Sequence, residues 1–289
     1  MGTTLNFGRR FTDIMTWENF NMGGLLRKLF GMSRRNISSA GKTDTGRVRS
    51  HNEDSFCILP DRNIFLVADG MGGHNAGEVA SQAAIETLNH YFSRNAVRKV
   101  RGNQEEIRHF LIKGLHHAND TVMEMAREDQ SRHGMGCTLV TGMIDGNVLH
   151  TCHVGDARCY IADAQGITQL TVDHSAIAAY REKAGSGEET DPERPPRQVI
   201  TRAIGFPFPE DPEYHCQELQ SGDRLLLCSD GLWSMLDDEQ IHDILVSTDT
   251  SEKASTVLVE RANAAGGTDN ITAVVVFFDA ETMPGRIIE

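Results

Sequence analysis

The chain has no Cys-x-x-Cys pair, no His-x-x-x-His set, no excess of basic residues and no apolar run of membrane-spanning length. Its six cysteines stand at 57, 137, 152, 159, 216 and 228, most of them inside apolar runs such as Leu225–Cys228. They read as small buried hydrophobes of a reducing compartment rather than as disulfides or zinc ligands. The longest apolar stretch near the C-terminus, Ala273–Phe278, is far too short for a membrane span. No apolar segment follows the early arginines, which argues against a secretory signal, and Asn6 stands where a myristoylation sequence needs Ser or Thr. A cytoplasmic protein is expected. The shortage of Lys and Arg, 28 against 41 Asp and Glu for a net charge of −13, argues against a nucleic-acid partner. It leaves phosphorylated partners open, because a bound divalent cation reverses the field of an acidic pocket.

What is present is an ordinary globular composition, 39% hydrophobic and 24% charged over 289 residues, with enough chain for a sizeable core. Residues 1–40 show no sustained period and read as a flexible N-terminal extension, with at most a few amphipathic turns at Gly23–Met32. Residues 41–280 carry the patterned domain, and 281–289 a short tail. Ile107, Leu111, Leu115, Ala118, Val122 and Met125 draw one helical stripe. A second helix is expected near Gly77, and two shorter ones after Asp237 and Ser251, the latter stopped by Gly266-Gly267. Strand-like runs lie at Ile64–Ala68, Arg224–Ser229 and Ile271–Phe278. Val148–Val154 and Ala157–Ile161, on either side of Gly155-Asp156, read as a hairpin. Helices grouped between strands predict an α+β fold with mostly antiparallel sheets. The stretch 176–199, with five acidic residues and three prolines, reads as a flap bordering a functional site.

The strand ends carry the chemistry. Glu53-Asp54, Asp69-Gly70, Gly155-Asp156, Asp230-Gly231 and Asp269-Asn270 all lie at such ends. Any one of them reads as a turn. Five on one edge would repel one another, and a hard divalent cation with oxygen ligands is the natural remedy. Spacing alone does not show that the five ends converge.

Arg49-Ser-His-Asn-Glu-Asp54, Ala68-Asp-Gly-Met-Gly-Gly73, His153-Val-Gly-Asp-Ala-Arg158, Ser229-Asp-Gly231 and Gly267-Thr-Asp-Asn270 occur in order. In this the chain resembles the metal-dependent protein phosphatases of the 2C type, in their bacterial stand-alone branch, from about Gly41 to Phe278. Gly136-Cys-Thr-Leu139, Asp173-His-Ser175 and Val199–Gly205 add lesser matches. The resemblance implies a central antiparallel β-sandwich flanked by pairs of antiparallel helices, and a centre of two Mn²⁺ or Mg²⁺ ions. Asp69 would bridge both ions, Asp230 and Asp269 would hold the first with Asn270 beside them, and the Gly70 carbonyl would serve the second. Glu53 and Asp54 would act through bound waters, Arg49 would grip the phosphate, and Asp156 would help hold a third ion.

The activity implied is hydrolysis of phosphoserine and phosphothreonine in proteins, by direct attack of a hydroxide bridging the two ions and opposing a partner Ser/Thr kinase. A relative acting on phosphorylated anti-sigma-antagonist proteins is a second reading within hydrolases. A catalytically weak phosphoprotein-binding module of the same fold is the alternative from another class. Two departures from the eukaryotic pattern stand out. Met71 replaces the histidine thought to protonate the leaving group, leaving His74, His153 or a water for that step, and Ser234 replaces an acid near the third ion.

Overall fold

A computed structural model of the protein describes residues 35–72, 76–184, 195–196 and 199–280. Ten strands alternate with helices: β1 Arg35–Asp44, β2 Asp54–Leu59, β3 Ile64–Met71, α1 Ala76–Tyr91, α2 Arg94–Val100, α3 Gln104–Glu128, β4 Gly136–Asp145, β5 Val148–Val154, β6 Arg158–Ala162, β7 Ile167–Gln169, α4 Ala176–Ala184, β8 Glu213–Glu218, β9 Asp223–Cys228, α5 Asp230–Trp233, α6 Asp238–Ser247, α7 Ser251–Ala264 and β10 Ile271–Ala280. They form two five-stranded sheets, ordered β1-β10-β9-β6-β7 and β2-β3-β4-β5-β8, and every strand pair is antiparallel.

The strands are near-continuous apolar runs because both faces of each sheet are covered. Along β3, Phe65 and Val67 face the other sheet while Ile64, Leu66 and Ala68 face α1; along β10, Val274 and Val276 face inward while Ala273 and Val275 face α7. Three apolar layers result, one between the sheets and one under each helix pair. The α3 stripe Ile107, Leu111, Leu115, Ala118 and Val122 is buried as its spacing predicts, with Asn103 capping the helix through the Glu105 and Glu106 amides. Helix α6 opens on a reciprocal capping box between Asp237 and Gln240. Helix α7 ends at Gly266-Gly267, where Gly267, at φ +54°, donates its N–H to Ala262 O at 3.1 Å.

Two expectations need correction. Val148–Val154 and Ala157–Ile161 do not form a hairpin: β5 pairs with β4 and β8, whereas β6 pairs with β7 and β9 in the other sheet. Gly155-Asp156 is a crossing between sheets, made by Gly155 at φ +102°. The patterned chain also starts earlier, because β1 takes in residues 35–40, which pair with β10 from Arg35 opposite Ala280 to Ala40 opposite Val275. Of the flap at 176–199, α4 covers 176–184, while 185–194, 197 and 198 lie outside the described residues, as do the rest of the N-terminal extension and the tail at 281–289.

Candidate metal centre

At one end of the sandwich the apolar seam between the sheets gives way to polar side chains. On β2, Asp54 follows the inward parity of Phe56 and Ile58, while Ser229 and Thr272 continue the inward rows of β9 and β10. The two hydroxyls cross the seam, each donating to Asp54 Oδ2 at 2.7 Å. Ser229 Oγ also accepts the Thr272 N–H at 2.9 Å. Asp54 sits directly opposite Asp69 in the β2–β3 pairing. Burial, with Asp230 and Asp269 nearby, pushes the Asp54 carboxyl up to about 7 despite its two hydroxyl donors.

The remaining acids gather around Asp69. Its pKa is driven well above the usual carboxylate range by desolvation and by Asp54, Asp230, Asp156 and Asp269. Asp230, which opens the one-turn helix α5, is raised to about 6 by desolvation and by Asp269, although it shares a hydrogen bond with Asp69. Asp156, buried beyond the sheet crossing, is raised to about 7 by burial and by Asp230. Glu53 is raised by desolvation even though the Gly77 amide of α1 donates to it. Arg49 stands half-exposed at the mouth, its Nη2 donating to Asp269 Oδ2 at 2.8 Å. Asn270 braces the loops: its Oδ1 accepts the Glu53 N–H at 2.8 Å, and its amide donates to Thr45 O at 2.9 Å and His51 O at 2.8 Å.

These residues line a cleft of about 260 Å³, floored by Asp69 and Gly70 and walled by Arg49, Glu53, Asp156, Asp230 and Asp269, with Met71, Gly72, Thr138 and Ile200 completing it. So many desolvated carboxylates facing one space, with Asp54 Oδ1 buried and without a hydrogen-bond partner, fit hard divalent cations bound through oxygen. An unpaired set of this kind is costly unless protons or cations neutralise it.

The turn that carries Asp156 is pinned from three sides. His174 accepts the Gly155 N–H at Nδ1 (3.2 Å), its own N–H reaches Gly155 O (2.9 Å), and Trp233 Nε1 donates to Asp156 O (3.1 Å). Arg158 holds Trp233 in turn, its guanidinium 3.7 Å from the ring centroid while it bonds both oxygens of Asp173 at 2.9 and 2.7 Å. His153 is not part of the cleft lining; it donates from Nε2 to Val172 O at 2.8 Å and stacks on His174 at 4.7 Å and 14°. His153, His174 and Glu213 lie close enough to consider for an ion. Val172 O, the Gly155 N–H and Glu213 engage ring nitrogens of the two histidines, so in this structure the cluster braces the crossing. His74 lies outside the described residues, and Ser234 is exposed with its N–H on Asp230 O. The sequence assigns no role to Thr138 or Thr272; strand register places Thr138 opposite Asp69, whereas Thr272 reaches Asp54 only across the seam between the sheets.

One end of this two-sheet, helix-covered sandwich thus gathers five aspartates beside an arginine. The chain belongs to the protein phosphatase 2C family, whose model matches residues 41–271. It is 34% identical to the serine/threonine phosphatase stp of Listeria monocytogenes over 248 residues, 85% of this chain and 97% of that one. Among solved structures it is similar to the Mycobacterium tuberculosis serine/threonine phosphatase PstP/Ppp, at 32% identity and a TM-score of 0.74 over 84% of this chain and 99% of that one. The catalytic domain of PstP in complex with two manganese ions is likewise 32% identical, with a TM-score of 0.73 over 85% of this chain and all of that one.

Proposed function

We infer that the cleft at Asp69 is a two-ion centre for Mn²⁺ or Mg²⁺, and that this protein-serine/threonine phosphatase works there on phosphoproteins. The convergence of Asp69, Asp156, Asp230 and Asp269 on one cleft, with Asp54 buried beside Asp69, carries the reading. The two manganese ions of the similar PstP domain support it. Asp69, Asp230, Asp269 and the Gly70 carbonyl would hold the pair, Glu53 and Asp54 would act at one remove, and Asp156 would serve a third ion. When bound, such ions neutralise the phosphoryl oxygens and acidify a water for in-line attack.

The protein's own part is positioning. Ser229 and Thr272 fix Asp54, Asn270 fixes the Glu53 backbone, and the α5 turn presents Asp230. Arg49 presents a planar guanidinium at the mouth, the group best matched to phosphate oxygens. A cysteine nucleophile has no support: burial pushes the Cys137, Cys152, Cys159 and Cys228 thiols up, away from the thiolate form.

The partner proposed is a Ser/Thr kinase whose products this enzyme reverses. The compartment proposed is the cytoplasm, supported by six free cysteines. Among the described residues no helix is long and apolar enough to cross a membrane. Phosphate release from phosphoserine and phosphothreonine peptides tests the reading. It is expected to need Mn²⁺ or Mg²⁺ and to stop on chelation; turnover unaffected by chelation, or none with Mn²⁺ added, would overturn it.

A further inference from the structure

Five buried side-chain polar atoms among the described residues have no hydrogen-bond partner, and two of them flank Asp69: Asp54 Oδ1 and Thr138 Oγ1. The register explains the coincidence. Asp54 is opposite Asp69 across β2–β3, and Thr138 is opposite Asp69 across β3–β4, so the three side chains form one row on the inward face. One step past the last β4–β5 pair, Leu139 with Val154, the row reaches Gly155. Gly155 lies so close that a Cβ there would stand 2.5 Å from Thr138 Cβ and 2.6 Å from Cγ2. The Cβ and methyl of Thr138 therefore pack against the sheet crossing, and Thr138 lines the cleft together with Asp69 and Asp156.

Thr138 is 2% exposed, and its buried, unpaired hydroxyl costs free energy that the isosteric valine would avoid. The Asp54 orphan has its use in the ion centre, and the Thr138 orphan stands in the mirror position on the other side of Asp69. We propose that Thr138 is a further residue of the ion site, its hydroxyl orienting the hydration shell of the ion that Asp156 would serve. The proposal rests on the two-ion reading of the cleft. Thr138 is a positioning residue: it acts through water held on the ion and touches no substrate atom.

The test is calorimetric titration of Mn²⁺ into the chelator-stripped full chain, for wild type, Thr138→Val and Thr138→Ser, with melting of each metal-free form alongside. Thr138→Val is expected to weaken Mn²⁺ binding by about tenfold or more, the usual cost of losing a group that orients an ion's ligands. Thr138→Ser, which keeps the hydroxyl, is expected to bind as wild type. Metal-free Thr138→Val is expected to melt at or above the wild-type temperature, because it buries no unpaired group. Equal Mn²⁺ affinity in wild type and Thr138→Val would overturn the proposal while leaving the ion centre standing. So would a metal-free Thr138→Val that melts several degrees lower or fails to fold, since the hydroxyl would then have an internal structural partner. A wild-type chain that takes up no Mn²⁺ would overturn the ion centre itself.

Discussion

Asp54 accepts two hydroxyl hydrogen bonds and still has its pKa raised to about 7, so burial and like charge outweigh hydrogen bonding at this position. The same holds for Asp156 at about 7 and Asp230 at about 6, against an ordinary 3.8. Between these limits the metal-free folded form holds more protons than the unfolded chain. The stability these groups confer is fully present below 3.8 and is lost as pH rises through about 6 to 7. In chelator the protein is therefore expected to melt at a lower temperature at pH 8 than at pH 5.5. Added Mn²⁺ is expected to restore the loss at pH 8, because the cation replaces the protons. A melting temperature in chelator that climbs from pH 5.5 to pH 8 would contradict this.

The same electrostatics makes an opposite pair of effects for Asp230→Asn or Asp269→Asn. Either change is expected to lower p-nitrophenyl phosphate turnover by more than about 100-fold, since an ion ligand is lost. The circular dichroism spectrum should be unchanged, and the metal-free Asp230→Asn protein should melt higher than wild type, because a repulsive charge has been removed. Turnover near wild type would show the ligand assignment to be wrong.

At the scale of elements, the short helix α5 deserves most of the credit for the site's shape. It presents Asp230 at its first position and Trp233 at its last, and Trp233 reaches the carbonyl of Asp156 on the other side of the cleft. A Cβ on Gly231 would lie 2.0 Å from Asn270 O, so the helix can sit there only with glycine. Gly231→Ala is expected to destabilise the fold by about 1–3 kcal/mol in urea unfolding, the usual cost of overpacking. It should also weaken activity, because moving α5 off Asn270 loosens the amide that holds Glu53. A stability and a turnover both at wild-type level would contradict that account.

Elements with strong periods were legible in the sequence. The α3 stripe, the capped start of α6 after Asp237, and the apolar runs of β3, β9 and β10 are legible from the residues, whereas α7 begins one residue earlier than expected, at Ser251 with Thr250 as its cap. The crossing at Gly155 was misread as a hairpin because Gly-Asp serves equally well to reverse a chain within a sheet or to carry it into another. The short strands β7 and β8, ITQ and EYHCQE, lie half-covered at sheet edges and show no apolar alternation to find. In the site, the acids were visible as residues at strand ends, whereas their convergence needed the order of strands in two sheets. Thr138 and Thr272 illustrate the limit, since each matters only through the residue opposite or across the seam.

At the scale of the whole molecule, the four-layer arrangement explains how such a charged site is tolerated. Three apolar layers run the length of the sandwich, and the acids are confined to the end where the inward rows of both sheets turn polar. Strand ends from both sheets supply the acids of the proposed ion site, so that cluster forms only when the sheets are packed, and the ions should bind the folded chain alone. The net charge of −13 then has a local counterpart, an acidic end that, on the proposed reading, cations would convert into a seat for phosphate. The most direct measurement of this claim is anomalous X-ray scattering from crystals grown with Mn²⁺. Two manganese peaks bridged by Asp69, one of them also touching Asp230 and Asp269, are the predicted result; an active enzyme whose crystals show no manganese among these aspartates would contradict it.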